Sequence, residues 1–346
     1  MLTKIVRPLF RDIFTQKCLN FYSSAIKCQH RKEFSEKIHQ FSHVKANFTG
    51  VSNVKILPYD LLECPDANLL KATVIQGNDA HINIQVQEKE VTIEQTGKAE
   101  EILLEIPVKA DVTVEADGSL QIRDLHSDKL SANASRGITT KNLRSECIHL
   151  QSEGDIACQG LTLGYSVILT AKGESNVSLE KIQGEDLFVE SENGSISTES
   201  CYSSNSKFTT KSGDLNLNSV HKTTEVNIEE VGNLNMIGFN GTLLAKVHKG
   251  NVRLQLAELW GENVLITNQS DQVLVNVSDS VVDSTYVHAA SPDVHVDESL
   301  QHLRGEKETG ATTLGEKNLP NRLFIQTKGR LDIRRLSWID AIKLKM

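Results

Sequence analysis

The chain is poor in the residues that usually mark a chemical function. Of its 346 residues only 5% are aromatic, with six Cys, six Pro, three Met and two Trp. No Cys-x-x-Cys pair occurs among Cys18, Cys28, Cys64, Cys147, Cys158 and Cys201, so the ligand spacing of a structural zinc site is missing. A Cys147–Cys158 disulfide is one possibility; reduced, buried, inert thiols are the expectation. Apolar runs stop at three or four residues, as in Val264-Leu265-Ile266, whereas a helix that crosses a bilayer needs roughly twenty. No membrane span is expected. Positive charge is also short: 45 Asp and Glu exceed 37 Lys and Arg, and a formal charge of −8 excludes a chain that coats nucleic acid. Gly-x-Ser-x-Gly elbows, phosphate loops and dinucleotide fingerprints are absent, so no catalytic residue and no cofactor is expected.

What is present can build a core. Apolar residues make up 39% of the chain, which excludes wholesale disorder and allows one long domain or two ordinary ones. Charge is distributed unevenly. Residues 1–48 carry nine Lys or Arg against three acids, a net of +6 that leaves −14 for the remainder. On a helix, Leu2, Ile5, Val6, Leu9, Phe10 and Ile13 share one face while Lys4, Arg7 and Arg11 share the other. A basic amphipathic start of this kind fits a mitochondrial transit peptide, cut between about Asn20 and Asn47, although Pro8 and Asp12 depart from the pattern. An ordinary N-terminal helix or basic arm is the alternative. The sequence-based expectation is a protein of the mitochondrial matrix.

The body of the chain repeats. Gly118, Gly137, Gly154, Gly173, Gly194, Gly213, Gly232 and Gly250 recur at intervals of 17 to 21 residues, and Gly329 falls on the same beat. All but Gly137 and Gly173 open a similar phrase, such as Gly154-Asp-Ile-Ala-Cys, Gly213-Asp-Leu-Asn-Leu or Gly329-Arg-Leu-Asp-Ile. A turn followed by an alternating strand is implied, with glycine supplying positive φ and the next Asp, Asn or Ser closing the turn. At Gly173 the strand residues Val177 and Leu179 come two positions late, as a bulged turn would place them.

A unit this small cannot bury its apolar face alone, so neighbours must stack. The sequence therefore predicts an all-β parallel β-helix (β-solenoid) with coils of about nineteen residues. The organisation expected is a presequence and basic arm over 1–48, a β-rich N-terminal cap over 49–110, a β-solenoid over 111–336 interrupted by a polar loop at 304–322, and a capping segment over 337–346. Trp338, Ile339, Ile342 and Leu344 would form the apolar side of that last lid.

Leu104-Glu-Ile-Pro-Val-Lys-Ala-Asp-Val112 and the coils that follow it resemble the adhesin-like β-solenoid family found widely in bacteria, over about residues 80–335. The likeness is closer to its animal relatives, the family with sequence similarity 185. It implies right-handed winding and, for the animal relatives, a mitochondrial location. It brings no catalytic residues.

Two constellations merit a chemical test. Asp293, His295 and Asp297 alternate along one stretch, so a strand would project all three from one face as weak metal candidates, against a simple solvated face. Asp155, Glu174, Ser195, Asp214, Asn233 and Asn251 follow beat glycines and would stack one coil apart, as paired carboxylates of a glycosidase or as ordinary turn closers. Turn chemistry is the expectation. Seven Asn-x-Ser/Thr sequons, at Asn47, Asn133, Asn176, Asn193, Asn240, Asn268 and Asn276, follow from turns rich in Asn, Ser and Thr and are expected to be bare without a secretory signal. Three functions fit: a non-enzymatic mitochondrial scaffold for an unknown protein partner, which leads; a carbohydrate-active β-helix enzyme; and an extracellular adhesin-like protein.

Overall fold

The computed structural model describes residues 31–60, 62, 65–77, 79–305 and 311–336. Strict alternation of apolar and polar residues dictates its strands. In Ile156–Ala171, Ile156, Cys158, Val167, Leu169 and Ala171 are buried while Gln159, Tyr165 and Ile168 face outward. The buried set needs cover from above and below, and parallel neighbours provide it. One column of paired residues runs Ile138, Ile156, Val177, Ile196, Leu215, Leu234, Val252 and Val273. A second runs Ala132, Leu150, Leu169, Val189, Phe208, Val226, Ala245 and Leu265. The chain is all-β and solenoid-like, with one continuous core enclosed between the two columns.

Glycine stands at the turns for want of space. A Cβ on Gly213, Gly232 or Gly250 would strike the carbonyl oxygen of Gly194, Gly213 or Gly232 in the rung beneath. Gly118, Gly154, Gly194 and Gly329 meet backbone oxygens in the same way, without positive φ. Positive φ, which the sequence suggests for all of them, holds at Gly137, Gly173 and Gly250 (+133°, +64° and +139°) and, close to extended, at Gly213 (+159°).

Both ends interleave. His43–Phe48 lies between Glu90–Thr96 and Asp111–Ala116, and Val51–Pro58 lies between Ala99–Ile106 and Ser119–Arg123, all in parallel. At the far end Asn321–Gln326 sits between Glu262–Gln269 and Thr285–Ala290, while Arg330–Arg335 sits between Gln272–Val277 and Asp293–Val296. Antiparallel strands then cover the terminal rungs. His81–Gln87 and Leu69–Ile75 do so at the start, with Arg31–Lys37 outside, and Thr312–Leu314 does so at the finish. Such strands protect edges that would otherwise recruit further chains.

This topology changes two boundaries. Residues 31–48, grouped with the basic arm by composition, form strands, and Phe48 is fully buried. Lys45, counted there as arm charge, pairs with Glu90 at 2.6 Å on the sheet surface. The departure expected as a loop at 304–322 begins earlier, after Val277, and contains the helix Asp279–Ser284, three strands and the 3₁₀ turn Glu298–Leu303. Residues 1–30 and the lid residues from Trp338 lie outside the described residues.

Candidate functional site

The acids after the beat glycines work as backbone closers. Asp155 Oδ1 accepts the Asn176 N–H at 2.7 Å, Asn176 Oδ1 accepts that of Ser195 at 2.9 Å, and Ser195 Oγ accepts that of Asp214 at 3.2 Å. Asp214 then holds Asn233 at 2.8 Å, Asn233 holds Asn251 at 2.9 Å, and Asn251 holds Gln272 at 3.2 Å. Asn176 takes the place sequence spacing gave to Glu174, because the turn at Gly173 is longer. One side chain per rung fastens the next rung's amide, so Asp155 and Asp214 are engaged with backbone as turn closers.

Asp293 and His295 are exposed on Asp293–Val296, and their register partners are Arg330 and Asp332. Asp297 turns away to cap the 3₁₀ segment, accepting the Ser299 N–H at 2.9 Å and its hydroxyl at 2.8 Å, which holds its carboxyl below the usual range. Among the described residues no group of three His, Cys, Asp or Glu is arranged for a metal. Asp332 is the one buried acid among them. Burial pushes its carboxyl up, but the Arg330 guanidinium at 2.9 Å and the Gln272 amide at 3.3 Å outweigh that and bring it below its ordinary value. A general acid needs the opposite shift. With the folded value depressed, the stabilisation is present above the unfolded value of about 4 and is lost as pH falls through the folded value. Asp332→Asn is therefore expected to flatten the fall of melting temperature below about pH 4, measured against wild type across that range.

The cysteines are equally quiet. Cys147, Cys158 and Cys201 are free, and burial pushes the Cys158 thiol up to about 11. Cys147 is exposed, against expectation, because it stands at an outward position of its strand.

Among the described residues, a hollow with an exposed aromatic rim lies at a corner of the rod. Ser127, Ser145, Gly164 and Gly184 succeed one another from rung to rung. The Ser127 and Ser145 hydroxyls are 3.3 Å apart, and a Cβ on Gly184 would strike the Gly164 carbonyl oxygen. With almost no side chain on that strip, the surface sinks into an open hollow of about 520 Å³. Tyr165, 67% exposed, stands on its rim with Arg144, Glu146 and Glu185. Farther along, Tyr202 stacks on His221 at 4.1 Å, 12° from parallel, where burial keeps the imidazole below its ordinary pKa and so neutral. Lys222, Ser204 and Glu185 form a hydrogen-bonded chain back to the hollow, at 3.0 and 2.9 Å. Stacking faces and hydrogen-bonding groups are arranged here. Sequence reading missed the hollow, although the spacing of Ser127, Ser145, Gly164 and Gly184 repeats the coil period.

The sequence profile of Toastrack DUF4097 matches residues 65–328, about three quarters of the chain. The chain belongs to this family. It is also similar to solved structures described as a "putative adhesin" from Parabacteroides merdae (12% identity, 89% of this chain and 96% of that one, TM-score 0.35) and from Parabacteroides distasonis (12%, 88% and 97%, 0.35). A third, described as a "putative cell adhesion protein" from Clostridium sporogenes, is 11% identical over 89% of this chain and 100% of that one, with a TM-score of 0.18. The mitochondrial-matrix location expected from the N-terminal composition is corrected by the family match: membership of Toastrack DUF4097 does not support it. Part of the arm's positive charge also belongs to strand residues such as Lys45.

Proposed function

We propose that this Toastrack chain is a non-enzymatic, adhesin-like recognition rod, wound right-handed in coils of about nineteen residues. It binds an extracellular ligand across the corner hollow. The observation that carries this is Tyr165, projecting beside a hollow floored by Gly164 and Gly184. An exposed aromatic ring next to a concavity gives a ligand a stacking surface and water-excluding contact, while the Arg144, Glu146 and Glu185 groups orient it. The run Leu104–Val112 supports a further placement beside the animal relatives.

Tyr165→Ala tests the hollow without disturbing the core. On an array of surface glycans and matrix proteins, the wild-type chain is expected to bind a subset, and the variant to bind the same subset about tenfold more weakly at unchanged melting temperature. Equal binding by the variant would remove the hollow from the account. Release of reducing sugar from polysaccharides would restore the enzyme alternative.

A further inference from the structure

The broad sheet face that carries the second core column is unusual on its outer side. Solvent faces of strands are ordinarily polar, yet Ile168 and Phe188 are exposed there and Leu244 and Val264 are half-buried. The register places them in one straight column, read rung by rung as Ile168, Phe188, Lys207, Glu225, Leu244 and Val264. Its order has a symmetry: two apolar residues and a cation, then an anion and two apolar residues. The flanking outward column reads Thr170, Glu190, Thr209, Asn227, Lys246 and Ile266. Hollows of about 450 and 320 Å³ open along the patch, both lined by Phe188 and Lys207.

We propose that this face docks a second copy of the chain, with the two rods antiparallel about a two-fold axis that runs along the strand direction between the rungs of Lys207 and Glu225. That operation preserves position along each strand and reverses the order of rungs. Phe188 then meets Leu244, Ile168 meets Val264, Lys207 meets Glu225, and Glu190 meets Lys246, each twice. Lys207 already pairs with its own Glu225 at 3.0 Å, so the centre of the interface becomes an alternating cluster of four charges. The parallel arrangement sets Lys207 on Lys207, Glu225 on Glu225 and Asp186 against Glu190, and like charges exclude it. Six rungs at about 4.8 Å and strands of five residues cover on the order of 500 Å² per copy, near the lower bound for a specific interface, so a reversible dimer is expected. The corner hollow plays no part in it.

Sedimentation velocity of the full chain, from about 1 to 100 µM, tests the pairing. Wild type is expected to shift from monomer to dimer across that range. K207E and E225K are each expected to raise the dimer dissociation constant about tenfold or more, by setting like charges face to face. An equimolar mixture of the two is expected to dimerise again, because each reversed charge then meets its complement. Circular dichroism melts confirm that both single variants fold. Wild type monomeric throughout, single variants that dimerise as well as wild type, or a mixture that stays monomeric would each overturn the proposal.

Discussion

Gly232→Ala is expected to destabilise the chain by about 3 kcal/mol, although only a methyl group is added. The residue has no positive φ, so backbone strain does not enter. The Cβ would strike the carbonyl oxygen and carbonyl carbon of Gly213 in the rung beneath, and neither can swing aside as a flexible side chain could. Relief requires these two rungs to separate, which breaks the adjoining ladder bonds, including Gly213 N–H to the Val231 carbonyl at 2.9 Å. Gly173→Ala is the contrasting case. No atom lies within 4 Å of its would-be Cβ, but φ is +64°, so only the left-handed penalty of about 1 kcal/mol applies. Urea unfolding of the two variants beside wild type gives both values. A Gly232→Ala loss no larger than that of Gly173→Ala would show that rungs at this turn are not in close contact.

Phe208→Ala is expected to cost about 3–5 kcal/mol. Phe208 is fully buried between Val189 and Val226 in the core column, and its removal leaves a cavity that neighbouring rungs fill only partly. In a stack each rung touches only its neighbours, so the damage should be local. Amide exchange is expected to quicken in residues 187–191 and 224–228 and to change little in 112–116, several rungs away. Uniform acceleration along the chain would contradict a stacked arrangement.

Much of the fold was legible because its main regularity is local. Val, Ile and Leu at alternate positions fix which side of each strand is buried, and the glycines mark where one rung passes another. The physical role of those glycines was less legible. Close approach and positive φ select the same residue, and only coordinates separate Gly232 from Gly173. Interleaving at the ends carries no local signal. Val44, Ala46 and Phe48 alternate like any strand, but nothing nearby in sequence says that their partners are Val91, Ile93 and Gln95 on one side and Val112, Val114 and Ala116 on the other. Basic residues around them drew attention to charge instead. The candidate chemistry divides in the same way. Asp155 and Asp214 as turn closers follow from composition, whereas the hollow beside Tyr165 and the reversible order of the Ile168–Val264 column exist only once the rungs are in register.

Interstrand nuclear Overhauser contacts in deuterated protein test the stack most directly. Parallel rungs predict amide contacts between segments 18 to 21 positions apart, around Leu215, Leu234 and Val252, with none across the intervening turns. Contacts joining the residues on either side of a turn glycine, such as the segments flanking Gly232 or Gly250, would mean antiparallel hairpins and would contradict the account.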